Sequence, residues 1–256
     1  VAPDVPNNAG SLGLMSVSAP SGCILNAQKP AAVSSRHVVG QLLPDVVFGC
    51  LRQAAPERTP AEGTSCLYNI NMRGRSLGAN EAGAGYVVTA VTNGGTGARP
   101  TKDGLSATAY PSGVRASPIE ILESIAPLVF WRKELRPDSG GPGQRRGGHG
   151  QYLEIENRDG QDFELLAAFD RIDNPARGHD GGGDGAKGRI TLSSGAVLKG
   201  KGFQTIPSGQ RLMVETPGGA GIGDPRDRDP ESVAADIRDG LVTPGAAVRY
   251  YGSETA

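Results

Sequence analysis

Two glycine-rich runs carry the charged residues best suited to chemistry. The first is Arg136-Pro137-Asp138-Ser139-Gly140-Gly141-Pro142-Gly143-Gln144-Arg145-Arg146-Gly147-Gly148-His149-Gly150, and the second is Thr216-Pro217-Gly218-Gly219-Ala220-Gly221-Ile222-Gly223-Asp224-Pro225. A guanidinium held by a tight loop can grip a carboxylate through two parallel N–H donors. Arg136 and Arg146 are therefore candidates for substrate binding or loop positioning. So are Asp138, His149 and Arg99, the last in the Gly94–Pro100 run. The same arginines could instead pair with Asp138 and Glu134 and pin the loop. Glycine tolerates positive φ and close approach of another chain, so density this high marks a site or a tight backbone crossing and not a linker.

Other chemistries fit less well. Asp138-Ser139-Gly140-Gly141 looks like a serine nucleophile motif, with His37 earlier in the chain as its base. His37, however, sits in a helical pattern, and proline stands where glycine is expected before Asp138. Gly185-Ala186-Lys187-Gly188 lacks the Gly-Lys-Ser/Thr triplet of a phosphate loop. The three histidines, His37, His149 and His179, show no metal-ligand spacing, so no metal site is expected on this chain.

The elements that must position these residues read as α+β: β-rich mixed sheets, a few packed helices and many glycine-rich turns. The 256 residues include 39 Gly and 19 Pro, which favours turns. A long helix is expected over Ala32–Ala55, with Val38, Leu42, Val46 and Cys50 on its core face and an interruption at Pro44. Strands are expected at Gly13–Ala19, Tyr68–Met72, Tyr86–Val91, Leu128–Leu135, Gln151–Asn157, Phe163–Phe169, Arg189–Leu192 and Arg211–Glu215. Ser117-Pro118-Ile119-Glu120 reads as a capping box. Asp229-Pro230 opens a last helix that Gly240 closes. The chain divides into an α+β region, 1–135, and a β-rich region, 136–256.

Charge and composition exclude some classes. With Lys+Arg 26 against Asp+Glu 27 the net charge is -1, so no basic surplus calls for nucleic acid. No apolar run suits a membrane span, and the expected location is the cytoplasm. Cys23, Cys50 and Cys66 form no C-x-x-C pair and read as reduced, mostly buried thiols.

Taken in order, several segments resemble the C-terminal part of the hydantoinase B/5-oxoprolinase family. They are Val5–Gly10, Ala19–Asn26, Pro30–Val33, Gly94–Pro100 with Asp103-Gly104, Pro118–Glu120 with Glu123, Glu134–Gly141, Arg146–Gly150, Thr216–Pro225, and Arg228–Pro230 with Asp236. Thr96 departs from the aromatic residue common in the family, and His149 from leucine.

The resemblance implies a C-terminal segment or split subunit of an ATP-dependent enzyme that opens cyclic amides such as hydantoin or 5-oxoproline. It implies a hydantoinase A-like ATPase partner carrying ATP and Mg. It also implies an N-terminal hydantoinase B portion holding a divalent metal, with this chain expected to begin after that portion. The alternatives are a subunit of an acetone-type ATP-dependent carboxylase, or a non-catalytic scaffold of such a complex.

Overall fold

The computed structural model describes residues 4–6, 8–13, 16–33, 36–77 and 83–253. Two units emerge, Val1–Gly40 and Gln41–Ala256. In the short unit the described chain forms helix α1 (Ala9–Leu12) and a series of turns. One turn is tied by Asn26 Nδ2 donating to the Ala19 carbonyl at 2.8 Å. The half-buried strand expected over Gly13–Ala19 is not formed over 16–19, where Val17 is 95% exposed; Leu14 and Met15 lie outside the described residues.

Helix α2 (Arg36–Leu51) is shorter than expected and runs through Pro44 without a break. The expected residues 34 and 35 lie outside the described ones. Its inward face is also rotated from the one its apolar stripe suggested, so that Val38 and Leu42 are only half-buried. Gln41 and Asp45 are buried, while Val46 and Val47 are 61% and 53% exposed. Polar contacts set this orientation. Gln41 Nε2 donates to Ser112 Oγ at 2.7 Å, and the Asp45 carboxylate accepts from Ser65 Oγ at 2.6 Å and from the Gly63 N–H at 3.2 Å. A buried carboxylate needs such partners, so it governs how the helix rolls.

Two four-stranded sheets, antiparallel throughout, make the body of the long unit. The first has the order β2-β1-β5-β7 and the second β3-β4-β8-β6. In chain order β1 is Leu67–Ser76, β2 Ala84–Asn93, β3 Leu128–Leu135, β4 Gln151–Asn157, β5 Phe163–Ala168, β6 Arg189–Leu192, β7 Lys201–Ile206 and β8 Leu212–Glu215. The α+β expectation holds. All the expected strands from Tyr68 onward are present, with somewhat shifted ends, and β7 is one that the alternation of Lys201-Gly202-Phe203 did not signal.

Side chains alternate between faces along each strand. Tyr68, Ile70 and Met72 of β1 point inward with Tyr86, Val88 and Ala90 of β2, whereas Val87 is 80% exposed. They share one core with Leu153, Ile155, Leu212 and Val214 of the second sheet. Each fully buried aliphatic side chain there contributes roughly 1.5–3 kcal/mol. A register shift between Phe130 and Arg132 leaves Trp131 as the extra residue of β3. The bulge re-aims it to the surface, where its Nε1 donates to Glu156 at 2.6 Å.

Helix α3 (Ile119–Ile125) starts one residue later than the capping box predicts. Pro118 occupies the N-cap and Ser117 makes no cap bond; Glu123 instead accepts the Phe130 N–H at 2.7 Å. Helix α4 (Pro230–Arg238) follows the sequence: the Asp229 side chain accepts from the Ser232 N–H, and Gly240 takes φ 69°. Helix α5 (Pro244–Ala246) continues into a π-helical turn, Ala247–Tyr251.

The cysteines are all free, but only Cys66 is buried; Cys50 is exposed and Cys23 intermediate. Cys50 is not buried as expected because it lies on the outward face of α2. Burial pushes the Cys66 thiol up to about 11. Among the described residues no helix is long and apolar enough to cross a membrane.

Candidate functional site

The glycine-rich runs lie side by side in the long unit and cross backbone against backbone. The Gly148 N–H donates to Thr96 O at 2.9 Å, Gly219 N–H to Gly148 O at 2.9 Å, and Gly141 N–H to Gly219 O at 2.8 Å. Gly221 N–H reaches Gly183 O at 3.0 Å, and Gly183 N–H reaches Pro142 O at 2.7 Å. No side chain fits between these segments. A Cβ on Gly147 would stand 1.9 Å from Gly219 O, and one on Gly95 would stand 1.8 Å from Gly148 O. The same steric rule puts glycine at the axis of a collagen triple helix. These glycines are crossing points, and the peptide groups satisfy one another across them.

This crossing fixes the candidate residues. Arg146 is buried, and its guanidinium grips Asp236 of α4 through two bonds, Nε to Oδ2 at 3.0 Å and Nη2 to Oδ1 at 2.9 Å. Arg228 joins the same carboxylate at 2.8 Å and also holds both oxygens of Asp103, each at 2.8 Å. The result is a cluster of two arginines and two aspartates that ties the loop to α4. Burial alone would raise the Asp103 carboxyl, but the Arg228 bonds and charge, with the Arg146 N–H and charge, hold it below its ordinary range. The same aspartates raise the Arg228 guanidinium against the effect of burial.

Arg99 turns back on its own loop, with Nε and Nη2 donating to Asp103 O at 2.9 and 2.7 Å. Asp138 has φ 57° and its carboxylate accepts from Thr243 N–H at 2.8 Å and Thr243 Oγ1 at 2.7 Å. Arg136 pairs with Glu215 at 3.0 Å and donates to Lys187 O at 2.7 Å. The pinning partners are therefore Asp236, Glu215 and Thr243. Neither Arg136 nor Arg146 pairs with Asp138 or Glu134.

His149 is fully buried and not a flexible loop residue, because its whole run is locked in the crossing. Its Nδ1 accepts the Gly140 N–H at 3.3 Å, which assigns the ring proton to Nε2. Burial, helped by the Arg146 charge, lowers its pKa to about 4. Ser139 Oγ lies 3.4 Å from Nδ1, but the hydroxyl donates to Arg136 O at 2.6 Å and accepts from Gly150 N–H at 3.0 Å. Both residues are shut off from solvent and the serine proton is already placed. The pair is thus a packing device and not a nucleophile with its base, and the imidazole beside Ser139 is His149, not His37.

A second charged knot escaped the sequence reading. Arg171 at φ 59° donates to Glu62, Asp45 and the carbonyls of Gly63, Thr64 and Pro175. Burial raises the Asp45 carboxyl despite its Ser65 bond. No local pattern announces partners more than a hundred residues apart. Among the described residues, no three His, Cys, Asp or Glu side chains gather in a way that could hold a metal ion.

Comparisons with known proteins bear on this arrangement. A family model described as Hydantoinase B/oxoprolinase matches residues 1–225. Caprolactamase subunit beta of Pseudomonas jessenii is 32% identical over 260 residues, covering 96% of this chain and 44% of that protein. 5-Oxoprolinase 1 of Arabidopsis thaliana is 31% identical over 226 residues, covering 86% of this chain and 16% of that protein. The crystal structure of ATP-dependent caprolactamase from Pseudomonas jessenii matches with a TM-score of 0.74 and 30% identity, over 92% of this chain and 42% of that one. The chain spans less than half the length of each of these proteins.

Proposed function

Because the chain belongs to the hydantoinase B/oxoprolinase family, we propose that it is a segment or split subunit of an ATP-dependent enzyme that opens cyclic amides. The observation that carries this reading is the likeness to ATP-dependent caprolactamase over 92% of the chain. In this reading the reactive centre is shared. A hydantoinase A-like ATPase binds ATP and Mg and activates the substrate, and the rest of the hydantoinase B polypeptide holds a divalent metal. The residues described here do not furnish a metal cluster, so no step is assigned to a metal on this chain. Its part is to build a wall of the site and the subunit contacts. The crossed glycine segments suit that task, since backbone packed on backbone holds its shape without mobile side chains.

One observation favours a second reading, a purely scaffolding chain: Arg99, Asp138 and Arg146 are all engaged internally. Reconstitution separates the two. The chain is combined with an A-type ATPase and the remaining B-type portion, and ATP hydrolysis and ring opening are followed together. Coupled turnover that requires this chain supports the proposal. A complex that assembles and turns over equally well without it overturns the proposal. Arg136→Ala then distinguishes the roles: intact assembly with lost turnover marks a site wall, and lost assembly marks a scaffold.

A further inference from the structure

We propose that the cleft beside Arg136 binds a small carboxylate with an aliphatic body. The cleft measures about 330 Å³ and is lined by Arg136, Ile172, Lys187, Arg189, Val197 and Leu198, with Ile190 beneath. That volume falls within the range of small-molecule pockets, roughly 300–1,000 Å³. Its floor is hydrocarbon: Ile172 and Leu198 pack on the main core, while Val197 is 68% exposed. Its rim is cationic. The inference goes beyond the proposed function and stands on the cleft alone.

The cations differ in kind. Arg136 is neutralised by Glu215 and anchored on the Lys187 and Thr216 carbonyls, so it forms a fixed wall. Lys187 and Arg189 have no carboxylate within ion-pair distance among the described residues. Arg189 opens β6 and Lys187 lies two residues before it, and both line the cleft. The intervening Gly188 presses on the core, with room for no Cβ: one would lie 2.2 Å from the Tyr68 hydroxyl. That hydroxyl is itself fixed by donating to Asp170 O at 2.6 Å. The two cations therefore flank a glycine packed against the core, beside aliphatic surface open to water. A bare anion would leave that surface wet, and an uncharged ligand would leave both cations unmatched. A carboxylate with a hydrocarbon tail satisfies both.

The test is methyl NMR of the full chain titrated with acetate, butanoate, hexanoate, hexan-1-ol and inorganic phosphate. The expected result is saturable shifts at Ile172, Val197 and Leu198, with affinity rising about fourfold for each added methylene that is buried. Lys187→Gln combined with Arg189→Gln should weaken hexanoate about tenfold and leave hexan-1-ol unchanged. Val197→Asp places a carboxylate against the tail and should abolish hexanoate binding; both changes are at exposed positions and spare the core. Phosphate binding as tightly as hexanoate, hexan-1-ol binding as tightly as hexanoate, or no saturable shift at these methyls would each overturn the proposal.

Discussion

Arg146 and Asp236 meet fork to fork, guanidinium to carboxylate, ninety residues apart and each with 8% of its side chain exposed. A buried pair of this kind is weak evidence of net stabilisation, but removing one partner strands the other charge. Asp236→Ala strands Arg146, whereas Arg228 keeps its two bonds to Asp103. The expected loss is about 3–5 kcal/mol of unfolding free energy, read from urea denaturation. Arg146→Lys should recover little, because an ammonium cannot reproduce the two-point grip. A loss below 1 kcal/mol for Asp236→Ala would show that the cluster does not tie the loop to α4.

His149 sets an acid-side pH dependence. Its folded pKa, about 4, lies below the ordinary value of 6.5, so the unfolded chain binds the proton first. Stability from keeping the ring neutral is therefore complete above pH 6.5, falls as the pH drops, and is gone below about pH 4. The full effect is roughly 3 kcal/mol. The raised Asp45 carboxyl works in the opposite sense at the acid end, so the clearest window is between pH 6.5 and 5. Denaturation curves at these two values should separate for the parent and converge for His149→Gln. Parallel curves would refute the assignment.

Two glycine substitutions should behave oppositely. Gly147→Ala puts a methyl 1.9 Å from a backbone oxygen that cannot move aside, and the crossing should open, at a cost on the order of 3 kcal/mol or more. Gly245→Ala sits in α5, where a Cβ meets nothing within 4 Å, and should be neutral or stabilise by about 0.5–1 kcal/mol. Thermal melting compares them directly. Equal melting temperatures would mean the segments are not packed as described.

Ser139 should not react with a fluorophosphonate, because its hydroxyl is buried and already donating to Arg136 O. Ser139→Ala should instead lower stability by about 1–3 kcal/mol by leaving the Gly150 N–H and the Arg136 carbonyl without their partner. Mass spectrometry after labelling and a denaturation curve check the two halves of this prediction. A labelled Ser139 would restore the nucleophile reading.

Much of the fold was legible because strand alternation and caps are local. Tyr86–Val91 declared itself by its β-branched run and Gln151–Asn157 by side-chain period, and Asp229-Pro230 with Gly240 marked both ends of α4. The inward face of α2 was not legible. The period shows that Val38, Leu42 and Val46 line up, but whether that stripe turns inward depends on Asp45 finding Ser65 and Gly63. The site was half legible in the same way. Glycine density pointed to close crossings and the family resemblance quoted Asp103, Arg146, Arg228 and Asp236, yet nothing in the local sequence said that these four meet. Glu215 as the partner of Arg136 was equally invisible, since β8 reaches it only through the sheet. Lys201–Ile206 was missed because a glycine at φ 93° and an exposed Phe203 blur the strand signal.

The crossed glycine segments also bear on how the chain responds to temperature. Opening them wets peptide groups and almost no hydrocarbon, and hydrated peptide lowers the heat capacity where hydrocarbon raises it. A calorimeter should therefore record a smaller heat-capacity step than the chain's length implies, and a stability curve that stays broad and shallow toward the cold.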